Sequence, residues 1–385
     1  MAAFRSSRIE TGIRHLSESV FVGMCSVFGT SQLVAMRRDL TDFNELMFQK
    51  LSTGTQLRRM LSGSYKEGIR MSGSDMDFMF WNKNEQVIWD LSQTRYYNMP
   101  SQTLLLADTS ESPPGFTLLQ LLTPRTNVHI LLACVKINDR LYISSSIYKM
   151  ITFSSALPDF TIHGPCVSGN VGGMDVDDAH CFASAFWPKS ASSWVERCHS
   201  WPHPQVVRHV VKHGCHFVPI GHKLGNHEYN EWRISFSQAE QKLMYSLNHC
   251  QFLTYGLFKV YLKEVINYGV STEEKLLCSY HMKTAVFWML TRLILRRTAL
   301  ILHCMYTDSG ANKRKYTANK MSNYMLKLAV KFGFISDILY VAMYYYKTLR
   351  YDEALSVIQT AKAKLAQTYQ MRSTVFTYVA SCPED

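Results

Sequence analysis

Asp75-Met76-Asp77 runs straight into Phe78-Met79-Phe80-Trp81, so two carboxylates one residue apart stand at the start of an apolar segment. In a strand, side chains alternate from face to face, and both acids then point the same way. Two like charges entering a core are costly unless a cation neutralises them. A divalent metal meets that need. The preceding Gly63-Ser64 turn supplies backbone N–H groups and a hydroxyl for phosphate oxygens. A third acid from a neighbouring strand would complete a two-metal site of the kind suited to nucleotidyl transfer. Asp175, Asp177 and Asp178, ahead of Trp187-Pro188, are the candidates. Each element alone is also what an ordinary turn or solvated loop contains, so their order and context carry the argument.

The 385 residues, 47% of them hydrophobic, suffice for one large two-lobed unit or two domains. Ten cysteines are scattered without two-residue knuckle spacing, and no apolar signal stretch opens the chain. We therefore expect reduced thiols in a cytoplasmic protein. The greasy run from Ala285 to Met305 contains Arg292, Arg296 and Arg297, whose charges would have to cross hydrocarbon, so no membrane span is expected there. The formal charge is +11, and from residue 289 onward 14 Lys/Arg face 6 Asp/Glu, a surplus of eight (14 − 6). Arg296-Arg297 and Lys313-Arg314-Lys315 could attract a phosphate backbone or simply form a solvated helical face.

Apolar spacing predicts a helix over Ile13–Phe28, ending near Gly29, and another helical stretch over Leu33–Leu61. Strands are expected at Phe116–Leu122, over Val128–Val135 with Arg140–Ser145 about an Asn138-Asp139 turn, and over Thr161–Ser168 with Met174–Ala183 about Gly169–Gly173. From Ala191 the pattern turns helical, through Val206–Val211, Ile234–Leu247, Phe252–Ile266 and Tyr280–Leu295, with Asn230 or Ser235 as candidate caps. His209 and His213 share a helical face near Cys215 and His216, a spacing that would suit zinc only if four ligands converged.

Four ordered blocks carry a family resemblance: Gly63-Ser64-Tyr65-Lys66-Glu67-Gly68 with Gly73-Ser74-Asp75-Met76-Asp77-Phe78-Met79; Glu231 to Ser237; Leu257-Phe258-Lys259 with Leu262-Lys263-Glu264; and Cys278 to Ala285. They resemble the cyclic GMP-AMP synthase-like receptors and their male-abnormal (mab) domain relatives over roughly positions 15 to 288. The resemblance implies an α+β, bilobal nucleotidyltransferase fold: a mixed-sheet lobe with the catalytic acids and a helical second lobe. The corresponding division is 1–62 bracing helices, 63–190 core lobe, 191–300 helical nucleotide-binding lobe and 301–385 basic helical extension, with Leu326–Leu365 resembling a tetratricopeptide helix pair.

It also implies roles. Asp75, Asp77 and, measured to Trp187-Pro188, Asp177 would hold Mg2+ or Mn2+; Gly63, Ser64, Arg233, Lys259, Ser279 and Tyr280 would contact nucleotide. Period two sets Asp175 on the face of Asp177 and Asp178 opposite. The implied activity is ligand-activated synthesis of a cyclic dinucleotide from ATP and GTP in innate immune sensing. The interval between the Trp232-Arg233 block and Lys259 has no insertion, so no zinc thumb is expected, and thumbless relatives point to double-stranded RNA as activator. The alternative is a catalytically inactive mab-domain protein that serves as a nucleotide-binding or interaction scaffold.

Overall fold

The computed structural model describes residues 15–290, apart from 16, 53, 72, 124–126, 155–158, 199–200 and 270–276, together with 341–342, 345–346 and 349–363. The chain divides into two compact units, residues 1–193 with 203–282, and residues 194–202 with 283–385. The architecture is mixed α+β. The first unit holds both sheets and the helices between 204 and 261, which the sequence suggested would form a separate lobe.

A helix over 17–28 stops at Gly29, whose φ of 101° belongs to glycine, and Thr30 caps the next helix by accepting from Leu33 N. That helix is α1, Ser31–Leu51. The expected continuation to Leu61 is overturned: Leu57–Ser62 is strand β1, antiparallel to β2 (Met76–Asn82). Met60 and Leu61 are buried there, and tertiary burial outweighs the helical spacing of Leu57, Met60 and Leu61. Among the described residues, only Ser17–Leu51 is long and apolar enough to cross a membrane by length and composition. It is broken at Gly29, and Phe28 and Val34 are buried within the first unit, Phe28 close against Gly256 and Val34 close to Gly68.

One sheet has the order β1-β2-β10-β9-β8, with β8 Thr161–His163, β9 Cys166–Val171 and β10 Met174–His180. The second runs β13-β12-β11-β3-β4-β5-β7-β6: β3 Glu85–Ile88, β4 Thr103–Asp108, β5 Phe116–Leu121, β6 Cys134–Ile137, β7 Arg140–Ile143, β11 Phe182–Ser184, β12 Cys215–Val218 and β13 Trp232–Ser235. Because β13 also pairs with β5, six of these strands close into a ring. Val87, Leu105, Leu119, Phe182, Phe217 and Trp232 fill its core, and Trp232 Nε1 donates to Ile143 O at 2.8 Å.

Several boundaries move for local reasons. Val128–Leu132 is a short helix capped by Asn127, and the hairpin begins only at Cys134, with Asn138 and Asp139 at the positive φ its tight turn requires. Ile234 belongs to β13, and the helix follows as Ser237–Tyr245, with Phe236 at its N-cap and no side-chain cap bond from Ser235 or Asn230. Pro204–His213 and His249–Tyr261 are helical as expected, the second opened by an Asn248–Gln251 capping box.

In the second unit, Arg350 pairs with Glu353 at 2.7 Å ahead of a helix over 351–363, with Ala354, Val357 and Ala361 buried. Arg296-Arg297, Lys313-Arg314-Lys315 and most of the tetratricopeptide-like stretch lie outside the described residues.

Candidate active site

Two segments bring the acids together. Asp77 lies on β2, Asp177 stands opposite it in the parallel β2–β10 pair, and Asp75 precedes β2 by one residue. All three are half-buried, and each offers a carboxylate oxygen within 4.8 Å of the others'. Register explains the choice among the downstream acids. Asp178 pairs with Phe78 and faces the other side of the sheet toward Arg59; burial, then the charge of Asp177, pushes its carboxyl up to about 6, and its Oδ1 is buried without a partner. Asp175 accepts from Asn170 Nδ2 at 2.9 Å and closes the β9–β10 hairpin.

The Gly63-Ser64 turn presses on this cluster. Ser62 is the cross-strand partner of Asp77 and donates its Oγ to Asp77 O at 3.2 Å. Gly63 then takes φ +65°, where a Cβ would collide with Asp77 Oδ2. The chain continues as a short helix α2, Gly63–Glu67, which carries Ser64.

What fixes α2 is a residue that sequence reasoning passed over. Lys66 is fully buried, and its Nζ meets Asp42 Oδ1 and Glu45 Oε2, each at 2.6 Å. Glu45 also accepts from Leu61 N at 2.6 Å, and Tyr245 OH donates to Lys66 O at 3.2 Å. Helix α1 thereby clamps both the strand before the turn and the helix after it. Asp42 and Glu45 lie more than 20 positions upstream, so no local pattern reveals the pairing.

A cleft of about 510 Å3 opens beside the acids, lined by Ser64, Gly73, Ser74, Asp75, Lys259 and Ser279 among others. Ser64, Asp75, Lys259 and Ser279 are thus brought together. Tyr280, 55% exposed, and Arg233, exposed on β13, do not line it. Arg233 and two of the acids nonetheless act electrostatically on one common neighbour, Cys166. Burial, then Asp177 and Asp77, push the Cys166 thiol up to about 12, while Arg233 pulls it down.

Lys263, Glu264 and Tyr268 also line the cleft; the first two belong to a stretch that carries the resemblance, but no site role was expected of any of the three. A π-turn over Leu262–Ile266 delivers Lys263 and Glu264 by adding a residue to the helical turn, which no sequence period announces.

His209 and His213 stack with ring centres 4.0 Å apart, while Cys215 and His216 are buried in β12. Among the described residues, the one group of three or more potential metal ligands is Asp75, Asp77 and Asp177. Burial lowers His216 to about 4, and its Nδ1 lies 3.2 Å from Ser237 Oγ.

A mixed α+β scaffold with a serine-bearing turn set against convergent acids is compatible with a nucleotidyltransferase fold. Residues 134–246 match the Mab-21 protein nucleotidyltransferase domain, a match consistent with the resemblance carried by the sequence blocks. The matched stretch contains Asp177 and Arg233. Gly63, Ser64, Asp75 and Asp77 precede it and join it through the β2–β10 pairing.

Proposed function

We propose that this protein is a metal-dependent nucleotidyltransferase that joins ATP and GTP into a cyclic dinucleotide second messenger when an activating ligand binds. The observation that carries this reading is the meeting of Asp75, Asp77 and Asp177 within 4.8 Å of one another, with Asp75 shared by the cleft that holds Ser64, Lys259 and Ser279. Three carboxylates, two from the start of β2 and one from β10, are hard oxygen donors that suit Mg2+ or Mn2+. When bound, the metal would activate the attacking ribose hydroxyl and offset charge on the departing pyrophosphate.

The chain's own residues bind and orient. Ser64 donates to a phosphate oxygen, and Lys259 and Lys263 balance triphosphate charge. Arg233 offers a planar fork to a phosphate or guanine edge, and Tyr280 a ring face to a base.

Double-stranded RNA is the activator we assign, in cytoplasmic innate immune sensing. The support is the basic surplus beyond residue 289, 14 Lys/Arg against 6 Asp/Glu, since duplex RNA is held through shape and phosphates.

The test is to incubate purified protein with ATP, GTP, Mg2+ or Mn2+ and panels of double-stranded RNA and DNA. Cyclic dinucleotide formed by the wild type and lost in Asp75→Ala and Asp177→Ala supports the enzyme. Nucleotide binding with no product under any activator makes the protein a scaffold instead.

A further inference from the structure

Helix α1 turns one face into the first unit and leaves another uncovered. Val34 and Thr41 are buried, Arg37 Nη1 donates to Phe28 O at 2.6 Å, and Arg38 Nε donates to Glu67 O at 2.8 Å. On the outer side stand Leu33, Met36, Leu40, Phe43, Met47 and Leu51, exposed by between 37% at Leu33 and 81% at Leu51. Val20, Phe21, Val22 and Val27 of the preceding helix are also exposed.

We propose that this face of α1 is an interface on which a second copy of the same chain docks, α1 against α1. Three observations favour that occupant. Leu33, Met36, Leu40, Phe43 and Met47 follow one another at intervals of three, four, three and four, the spacing by which one helix presents a continuous stripe to another. The six exposed side chains amount to roughly 600 Å2 of apolar surface. That is the scale of an interaction patch and most of the ~800 Å2 each partner contributes to a standard interface. The flanks carry little charge: at 100° per residue, Gln32, Asp39 and Lys50 border one side and Asn44 and Arg37 the other, one acid against two bases, and Arg37 Nη1 is tied back to Phe28 O at 2.6 Å. An anionic membrane surface would instead select lysine and arginine along that border. A two-fold pairing is closed, so the one stripe serves both copies. The interface is independent of the chemistry proposed above.

The test is the mass of the full-length protein in solution by light scattering and sedimentation across a concentration series. The wild type is expected at the mass of two chains. Leu40→Glu with Phe43→Glu should give one chain, its dissociation constant raised roughly 100-fold or more, with the thermal midpoint of the separated chain retained. A single Leu40→Cys substitution should trap a disulfide-linked pair under mild oxidation and serves if the double variant folds poorly. A wild type that stays one chain at all concentrations overturns the proposal. So does a double variant that remains a dimer, or a one-chain wild type that floats with phosphatidylcholine–phosphatidylserine vesicles.

Discussion

Gly63→Ala and Gly73→Ala make a matched pair, because both glycines hold positive φ, +65° and +73°, but only one has a neighbour in the way. An added Cβ at Gly73 meets nothing within 4 Å, so that variant carries only the cost of a left-handed residue with a side chain, about 1–2 kcal/mol. At Gly63 the same cost is joined by the collision with Asp77 Oδ2. The turn cannot back away freely, because Ser62 is in register with Asp77 and hydrogen-bonded to its carbonyl. The carboxylate must therefore swing out of the cluster. An off-rotamer side chain and a disturbed turn add about 1–2 kcal/mol, for a total near 3 kcal/mol, or roughly 6 °C in a unit of this size. The larger effect is on the metal. Mg2+-dependent thermal stabilisation by ATP should persist in Gly73→Ala and vanish in Gly63→Ala, as it should in the double Asp75→Asn, Asp77→Asn variant. Equal behaviour of the two glycine variants in both midpoint and metal response would refute the claim that Gly63 sets the position of Asp77.

Lys66→Met should destabilise the protein by about 3 kcal/mol, because Glu45 loses its cation while still half-enclosed. Adding Glu45→Gln, which keeps an acceptor for Leu61 N, should recover part of that loss in urea titrations. Glu85 is raised to about 7, chiefly by burial, against the lowering bond from Asn127. Its folded pKa lies above its unfolded value, so the native state holds the extra proton. Its stabilising effect is full below about pH 4.5 and is lost as pH rises to about 7. Glu85→Gln should remove a decline of about 2–3 kcal/mol across that window, read as the difference between the two pH–stability profiles. Lys259→Ala and Lys263→Ala should each weaken Mg·ATP binding roughly tenfold in calorimetric titrations, with the wild-type affinity falling as salt is raised. An unaffected Lys263→Ala would separate the π-turn from phosphate binding.

What the sequence could disclose depended on whether the physics was local. The Asn138-Asp139 turn, the break at Gly29 and the β9–β10 hairpin rest on residues within a few positions of one another, and their glycine, asparagine and aspartate signals are visible directly. Leu57–Ser62 was not legible as a strand, since its identity comes from pairing with β2 across the turn and from burial of Met60 and Leu61. For the site, period two separated Asp177 from Asp178 once the strand was recognised. That Asp177 stands beside Asp77, however, is a parallel pairing across a hundred residues, and only the resemblance supplied it. Lys66 shows the limit most clearly. Within Gly63–Glu67 it reads as an exposed helical lysine, yet it is the best-enclosed charge near the site, because α1 returns Asp42 and Glu45 to meet it. A long cation on a short surface helix is held inside only where partners distant in sequence compensate its desolvation. The turn that presents Ser64 therefore takes its rigidity from a helix whose sequence, read alone, announces nothing but its own amphipathic stripe.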